Sequence, residues 1–285
     1  MYNCKVKMYP DGVQTKLYNY PIYEGTDRDK DRVVEKDKCP FGLVEYYDFE
    51  SAIEDSELKK KRSEYVSRKR TLEKIYDYAR ANTWDYFITL TFDPKKVDRS
   101  DYNDCTKKLS QWIKNIKKRY CKDLKYIVVP ELHKDGKSFH FHGLISDCDG
   151  IDLIDSGHKT DAGDVIYNIG KYRLGWTTAT KVNNNEAVTK YITKYITKDL
   201  CALTKGKKRY WISRNLDKPL VSTEVYDFLD MEILKDELFQ DYQYAKILGY
   251  DIAGKRCRMD IFEHSLNNER QQAYLDLMNG GELIE

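Results

Sequence analysis

Two histidines, His140 and His142, stand on either side of one phenylalanine in the apolar stretch 139–145. If this stretch is a β-strand, alternate side chains point to opposite faces, so both imidazoles project together. Phe139 and Phe141 then face the core. Paired imidazoles on a rigid strand suit a metal ion. The alternative is one hydrogen-bonded histidine and a second histidine that is there by chance.

A carboxylate ends the preceding segment. Residues 125–131 read as a strand that finishes at Glu131, and His133-Lys134-Asp135-Gly136 reads as a turn. The two strands are therefore predicted to form an antiparallel hairpin, which brings Glu131 toward His140 and His142. Two imidazoles and one carboxylate leave coordination positions open for water and a phosphate oxygen, as in catalytic metal sites.

The ligand types also bear on the metal. Imidazoles favour Mn, Co or Zn, and a carboxylate accepts Mg or Mn, so the predicted cofactor is a divalent ion, Mg²⁺ or Mn²⁺. Glu131 has the alternative interpretation of a surface carboxylate at a hairpin end. His133 competes as the third ligand, but it is expected in the turn, pointing to the other face if the strand continues.

The second chemical pattern is the run Lys190-Tyr191-Ile192-Thr193-Lys194-Tyr195-Ile196-Thr197-Lys198. Residues 186–200 are predicted to form one helix, on which Tyr191 and Tyr195 share a face and the lysines form the neighbouring row. A phenol has a pKa of about 10 and becomes a nucleophile when lysine charge or a metal-bound substrate stabilises the phenolate. The alternative is a helix with core tyrosines and solvated lysines.

Charge is unevenly distributed along the 285 residues, although the net charge is only +2. Eight basic residues and one acidic residue lie between Cys105 and Lys125, whereas fourteen acidic and six basic residues follow from Ser222 onward. A basic body predicts a polyanionic partner, with solvated helix faces as the alternative. The candidate DNA-binding residues are Lys107, Lys108, Lys114, Lys117, Lys118 and Lys190.

The predicted elements alternate in type. A strand at 86–92, a basic amphipathic helix at about 100–120, the hairpin, strands at 165–169 and 175–182, and the helix at 186–200 indicate an α+β fold with a central antiparallel sheet flanked by helices. A basic helix at 55–81 precedes them, and 147–164 reads as a surface loop. Residues 1–54 are expected to be an N-terminal extension, and the acidic region 216–285 is expected to be helical at 225–247 and 265–278.

The cellular location is predicted from features that the sequence lacks. The seven cysteines show no C-x-x-C pair, no apolar leader opens the chain, and no apolar run approaches the roughly 20 residues that span a bilayer. We expect a cytoplasmic protein, in a bacterial cell or a phage-infected host, with no membrane partner.

Three segments follow one another along the chain in a fixed order. They are Phe87-Ile88-Thr89-Leu90-Thr91-Phe92, His140-Phe141-His142, and Tyr191-x-x-Lys194-Tyr195-x-x-Lys198. Together they resemble the motifs of the HUH endonucleases, the rolling-circle replication initiators. The tandem tyrosines are similar to those of the two-tyrosine branch, found in initiators of small single-stranded DNA bacteriophages and related plasmids. The resemblance covers about residues 82–215, within a predicted nuclease domain at 55–215.

The resemblance implies a sheet with ferredoxin- or RNA-recognition-like topology and a metal held by His140, His142 and Glu131. It implies that Tyr191 or Tyr195, helped by Lys194 and Lys198, attacks a DNA phosphate. The products would be a 5′-phosphotyrosine link and a free 3′-OH that primes synthesis. Two tyrosines allow alternate use, one holding the first 5′ end while the other cleaves the regenerated origin.

The implied partners are single-stranded or nicked-origin DNA and a separate helicase and polymerase, since the sequence has no Walker A glycine loop. Other interpretations remain open. A relaxase or transposase of the same superfamily would carry the same motifs. A non-catalytic nucleic-acid-binding module would use aromatics and basic helices without cleaving. A small-molecule metalloenzyme fits the basic surface less well.

Overall fold

The chain divides into two units. A computed structural model describes residues 1–22, 56–240, 242–252 and 255–266. One unit is Lys60–Lys218, and the other combines Met1–Lys59 with Pro219–Glu285. Both contain antiparallel β-sheet, so the predicted α+β class with antiparallel pairing is confirmed.

Helices and strands both occur throughout the described residues. In chain order they are β1 (Tyr2–Tyr9), β2 (Gly12–Ile22), α1 (Ser56–Arg80), β3 (Tyr86–Phe92), α2 (Tyr102–Arg119), β4 (Lys125–Leu132), β5 (Phe139–Ser146), β6 (Leu153–Lys159), β7 (Val165–Ile169), β8 (Gly175–Lys181), α3 (Asn185–Thr193), α4 (Lys198–Leu203), β9 (Trp211–Ile212), β10 (Leu220–Glu224), α5 (Phe228–Gln240), β11 (Tyr244–Ile252) and β12 (Lys255–Ser265).

The unit Lys60–Lys218 is built on a seven-stranded sheet with the order β6-β7-β8-β3-β5-β4-β9. On β3, Ile88, Leu90 and Phe92 are fully buried, while the intervening threonines are partly accessible. Because strand side chains alternate, the sheet has one apolar face in the core and one face carrying polar groups. The predicted strand at 86–92 is thus confirmed, and β3 lies at the centre of the sheet.

The hairpin predicted between residues 125 and 146 is confirmed. Glu131 pairs with His140, and Val129 pairs with His142, across β4 and β5. Gly143 lies on β5, which runs between β3 and β4 in the sheet. A Cβ atom at this position would come 2.8 Å from the Ile127 carbonyl oxygen of β4. Since that backbone oxygen cannot move without disturbing β4, glycine is needed for β5 to fit between its neighbours.

Helix α2 shows why a basic segment becomes amphipathic. The Asp101 side chain accepts a hydrogen bond from the Asn103 N–H and caps the helix N-terminus. One helix stripe is buried, and it consists of Tyr102, Cys105, Leu109, Trp112, Ile113 and Ile116. Trp112 stacks edge-on against Tyr172, which also contacts Phe92. The helix therefore covers the apolar face of the sheet and turns its lysines outward.

Two predictions for this unit are wrong. The single helix expected at 186–200 is interrupted: α3 ends at Thr193, and α4 begins at Lys198. The Thr197 side chain accepts a hydrogen bond from the Leu200 N–H, so it caps a new helix instead of continuing the first. The segment 147–164, expected to be a surface loop, contains β6, which pairs with β7 through its backbone.

The other unit contains a five-stranded sheet with the order β10-β1-β2-β12-β11. Cys4, Leu17 and Phe262 are buried at its centre, with side chains of α5 packed against them. The expectation of a helical region at 216–285 is wrong in part, because β10, β11 and β12 belong to this region. β10 pairs with β1 and β12 pairs with β2, more than 200 residues earlier in the chain, while β11 pairs with β12; helical periodicity carries no information about such pairing.

Some expectations fall on residues that the structure does not describe. Among them are most of the N-terminal extension and most of the helix expected at 265–278. The helices that are described include no segment both long enough and apolar enough to cross a bilayer.

Gly143→Ala should destabilise the unit Lys60–Lys218, because the added methyl group meets backbone at 2.8 Å. Overpacking of this kind costs about 1–3 kcal/mol. Urea denaturation followed by circular dichroism measures the change in the free energy of unfolding. Thr178→Ala, at an exposed position on β8, is the control and should stay within about 0.5 kcal/mol of the parent. Equal stability of Gly143→Ala and the parent would contradict the close approach.

Candidate active site

The two histidines of β5 point to the face of the sheet opposite the core. Phe141, between them, is fully buried and packs edge-on against Phe92 and Trp211. His140 and His142 lie opposite Thr91 and Thr89 of β3. The alternation expected from the sequence thus places both imidazoles together, with Phe141 anchoring the strand from below.

Two threonines on β3 orient the imidazoles. Thr89 Oγ1 lies 3.1 Å from His142 Nδ1, and Thr91 Oγ1 lies 3.3 Å from His140 Nδ1. Each contact engages the Nδ1 atom and leaves Nε2 directed away from β3. Partners of this kind determine the ring orientation and tautomer of histidines that act as ligands. These threonines were not predicted as site residues, although Thr89-x-Thr91 repeats the spacing of His140-x-His142.

The carboxylate of Glu131 contacts His142 directly. Glu131 Oε2 lies 2.6 Å from His142 Nε2, and Glu131 is the cross-strand partner of His140. The carboxylate therefore faces both imidazoles, as the predicted hairpin required. His142 is buried, whereas the Glu131 side chain is about one third exposed. The cluster is open to solvent on the carboxylate side.

Burial controls the protonation of this cluster. Desolvation lowers the pKa of His142, and the adjacent Glu131 opposes the shift without reversing it. Desolvation also lowers the pKa of His140, assisted by the neighbouring His133 and His142. With an ordinary histidine pKa of about 6.5, both imidazoles are neutral at pH 7. Neutral imidazole is the form that ligates a metal.

His133 follows the end of β4, so the strand alternation does not extend to it. Its ring stacks on His140 with centroids 4.7 Å apart. His133 thus contacts His140, while Glu131 contacts His142. Among the described residues, no three His, Cys, Asp or Glu side chains converge as a ready metal-binding set. The donor chemistry of His140, His142 and Glu131 suits a divalent ion, but Glu131 is hydrogen-bonded to His142 instead.

Both tyrosines lie over the polar face of the sheet, next to this cluster. The Tyr195 ring stacks on His142 with centroids 3.8 Å apart and an interplanar angle of 9°. The Tyr191 ring meets Tyr195 edge-on at 5.4 Å. Phe87 of β3 contacts both tyrosines and His142. Phe87 therefore forms the apolar floor of the site, although its place in the sequence motif did not predict this contact.

The two phenols differ in environment. Tyr191 is 45% exposed, and Lys194 Nζ lies 5.2 Å from the centroid of its ring. Tyr195 is half-buried in the turn after α3, not on the helix itself as predicted. Burial, followed by hydrogen bonding with Tyr191, raises the pKa of Tyr195. Tyr191 is thus the phenol that solvent and a large substrate reach more easily.

The other two lysines of the tyrosine segment are Lys190 and Lys198. Lys190 Nζ forms an ion pair with Glu186 Oε1 at 2.5 Å, so its charge is partly neutralised. Lys198 begins α4, and its side chain is outside the described part of the structure. Of the two lysines in this run whose side chains are described, Lys194 is placed against a tyrosine and Lys190 pairs with Glu186.

Five lysines surround a groove on the other side of the sheet, which we call the basic groove. Its volume is about 650 Å³, and its lining residues are Ser110, Ile113, Lys114, Lys117, Lys118, Lys122, Tyr126, Lys208 and Trp211. The ring of Trp211 packs on Phe141, so the groove lies on the face opposite the histidines. No acidic side chain is among these lining residues.

The basic groove gathers only part of the predicted DNA-binding set. Lys114, Lys117 and Lys118 line it, whereas Lys107 and Lys108 lie earlier on α2. Lys208 Nζ lies 5.5 Å from the Trp211 ring centroid, which holds its charge beside an aromatic wall. Lys122 and Lys208 were not predicted; Lys122 closely follows α2 in the sequence, whereas only tertiary structure brings Lys208 to the groove.

Glu131→Gln should lower the pKa of both His140 and His142 further, because the carboxylate raises each of these pKa values. Imidazole proton NMR against pH, on metal-free protein in a chelator, measures both shifts. Glu186→Gln removes an exposed carboxylate that pairs with Lys190 and should leave both titrations unchanged. Unchanged histidine pKa values in Glu131→Gln would show that the carboxylate lies away from the imidazoles.

A family model for replication-associated proteins of the ORF2 type matches residues 85–200. The matched segment is less than half of the 285 residues, but it includes β3, β5, α3 and every candidate metal-binding and tyrosine residue. No curated protein and no solved structure matched the chain. Over residues 85–200 the chain is therefore similar to replication-associated proteins, which is consistent with a rolling-circle replication initiator.

Proposed function

We propose that this protein is a replication initiator of the two-tyrosine HUH type, which nicks single-stranded DNA at an origin and carries the 5′ end on a tyrosine. The observation that carries the proposal is the stack of Tyr195 on His142, which sits within hydrogen-bonding distance of Glu131. Nucleophile and candidate metal ligands thus share one face of one sheet. The match to a replication-associated family supports the biological role.

The chemistry is a phosphoryl transfer to a phenol. The Tyr191 oxygen attacks the scissile phosphorus, the P–O3′ bond breaks, and the DNA leaves a free 3′-OH. A divalent ion, Mg²⁺ or Mn²⁺, bound by His140, His142 and Glu131 would offset the negative charge that develops on the phosphate oxygens. Thr89 and Thr91 hold the two imidazoles in the orientation that such binding needs.

Tyr191 acts first in this proposal. It is the more exposed phenol, and the Lys194 ammonium group beside its ring is placed to attract the phosphate of an incoming DNA strand. Tyr195 is half-buried, and its raised pKa makes ionisation harder until the site changes on DNA binding. Tyr195 then serves the second cleavage, after the first strand end has occupied Tyr191.

The basic groove binds DNA outside the nick. Five lysines without a lining carboxylate attract phosphates, and the groove opens on the face away from the tyrosines. One DNA segment would lie at the tyrosines while a second segment contacts the groove. A separate helicase and polymerase complete the reaction in this proposal, because no nucleotide-binding glycine loop is present in the sequence.

Tyr191→Phe should abolish the covalent adduct with a single-stranded origin oligonucleotide in Mn²⁺ or Mg²⁺, because the attacking oxygen is lost. Tyr195→Phe should keep the first adduct and lose strand transfer to a second oligonucleotide. Denaturing gels of end-labelled DNA, with peptide mapping of the adduct, measure both. DNA-binding affinity serves as the control and should be equal in both variants.

The outcomes separate the competing functions. If the parent protein binds DNA but forms no adduct with a broad single-stranded library, the chain is a non-catalytic binding module. If Tyr195→Phe alone abolishes the first adduct, the proposed order of the tyrosines is reversed. A relaxase or transposase would give the same adduct, and it would be distinguished by failing to support replication of an origin plasmid.

Replacing Lys114, Lys118 and Lys122 by glutamine should weaken binding to all DNA sequences alike, since these exposed lysines line the basic groove. The slope of log affinity against log salt should become less negative by about 0.7 to 0.9 per lysine that contacts a phosphate. Fluorescence anisotropy at several NaCl concentrations measures the slope. A triple glutamine variant at Lys159, Lys181 and Lys205, exposed lysines that do not line the groove, should keep the parent slope.

A further inference from the structure

One large aromatic side chain remains exposed beside the candidate active site. Trp176 is 60% exposed, while the other three tryptophans of the chain, Trp84, Trp112 and Trp211, are 5%, 9% and 6% exposed. Burying an indole is favourable, so one left in solvent on a structured strand is unusual. Among the described residues, none makes a ring stack or hydrogen bond with the Trp176 side chain.

The strand register places Trp176 in the same row as the metal-ligand candidates. Trp176 on β8 pairs with Thr91 on β3, Thr91 pairs with His140 on β5, and His140 pairs with Glu131 on β4. Directly paired residues project from the same face. Neighbouring strands are about 4.8 Å apart, so the Trp176 backbone lies roughly 10 Å from that of His140.

The position of Trp176 is determined by the close approach of two strands. A Cβ atom at Gly175 would lie 2.1 Å from the Thr91 carbonyl oxygen, so glycine is required where β8 begins. Along β8, Thr177 and Ala179 are buried on the other face, while Thr178, the next residue on the face of the indole, is exposed. The ring is thus held on rigid backbone over an open surface.

The surroundings of the indole are polar and basic. Thr178 is its exposed neighbour on the strand, and Arg173 lies exposed three residues before it. Lys96 Nζ donates a hydrogen bond to the Arg173 carbonyl and lies 3.8 Å from Asp93 Oδ2, so a second, partly neutralised cation lies at this end of β8. A protein-docking surface needs a contiguous apolar patch, whereas a lone aromatic among cations is the arrangement that binds single-stranded nucleic acid.

We propose that Trp176 is a stacking platform for one nucleobase of single-stranded DNA, next to the nucleotide held at the His140–Glu131 row. The indole face receives the base while nearby cations attract its phosphates. This inference rests on the proposed function for the identity of the ligand as DNA. It adds a base-binding subsite that positions the strand relative to Tyr191.

The test begins with tryptophan fluorescence, because Trp176 is the accessible fluorophore. Adding oligo-dT in a chelator, where no cleavage occurs, should quench the emission and protect the indole from acrylamide. Trp176→Phe should lose both responses while retaining the emission of the three buried tryptophans. Circular dichroism shows that the variants are folded.

Affinity gives the second measurement. Trp176→Ala should weaken binding of fluorescein-labelled oligo-dT about 5- to 100-fold, the range for losing one base–aromatic stack, and Trp176→Phe should weaken it less. Ile154→Ala removes an exposed apolar side chain from the same sheet and should leave affinity unchanged. Oligonucleotides with one abasic position at a time locate the stacked base, because at that position the abasic and Trp176→Ala effects should not add.

The results also separate this inference from the proposed chemistry. Tight binding without quenching, with equal affinity of Trp176→Ala and the parent, overturns the stacking role and leaves nicking untouched. Quenching and abasic non-additivity in a protein that never forms an adduct supports the subsite and overturns the nuclease. Equal losses at every abasic position would show that Trp176 contacts no particular base, which also overturns the inference.

Discussion

Backbone pairing of β3, β5 and β4 is the interaction on which the candidate site depends. Side chains on a strand alternate with a strict period of two, so a register shift by one residue would turn every site group into the core. The observed register instead places Thr91, His140 and Glu131 side by side, and Thr89 beside His142. Gly143 permits this pairing, because any side chain there would strike the backbone of β4.

The sheet separates two kinds of chemistry. One face carries the threonines, histidines, Glu131 and the tyrosines, with Phe87 as an apolar floor. The other face packs on α2 and carries the basic groove toward the β9 edge. In the proposed function, one face of the sheet would hold the DNA segment that is cleaved, and the other would contact a second segment through the basic groove.

Burial determines the protonation of the two imidazoles and of Tyr195 in the candidate site. Desolvation holds His140 and His142 neutral and raises the pKa of Tyr195, so without a bound ion or phosphate the groups nearest the sheet carry little charge. The Glu131 carboxylate is hydrogen-bonded to His142. In the proposed function, a divalent ion held by these groups would supply the positive charge that the neutral imidazoles lack.

The sequence alone determined the local features. Alternation in β3 and in the β4–β5 hairpin was enough to place His140, His142 and Glu131 on one face, since the period of two is a local property. The break before α4 is also local, because Thr197 caps that helix through the Leu200 N–H and leaves Tyr195 in a turn, although apolar spacing alone did not predict it. Tertiary structure decided the rest. The pairing of β12 with β2, the meeting of Lys208 with α2, and the row from Trp176 to Glu131 join distant parts of the chain. Periodicity in the sequence relates only residues that are near one another in the chain. The strand pairings form because strands far apart in the chain satisfy each other's backbone hydrogen bonds.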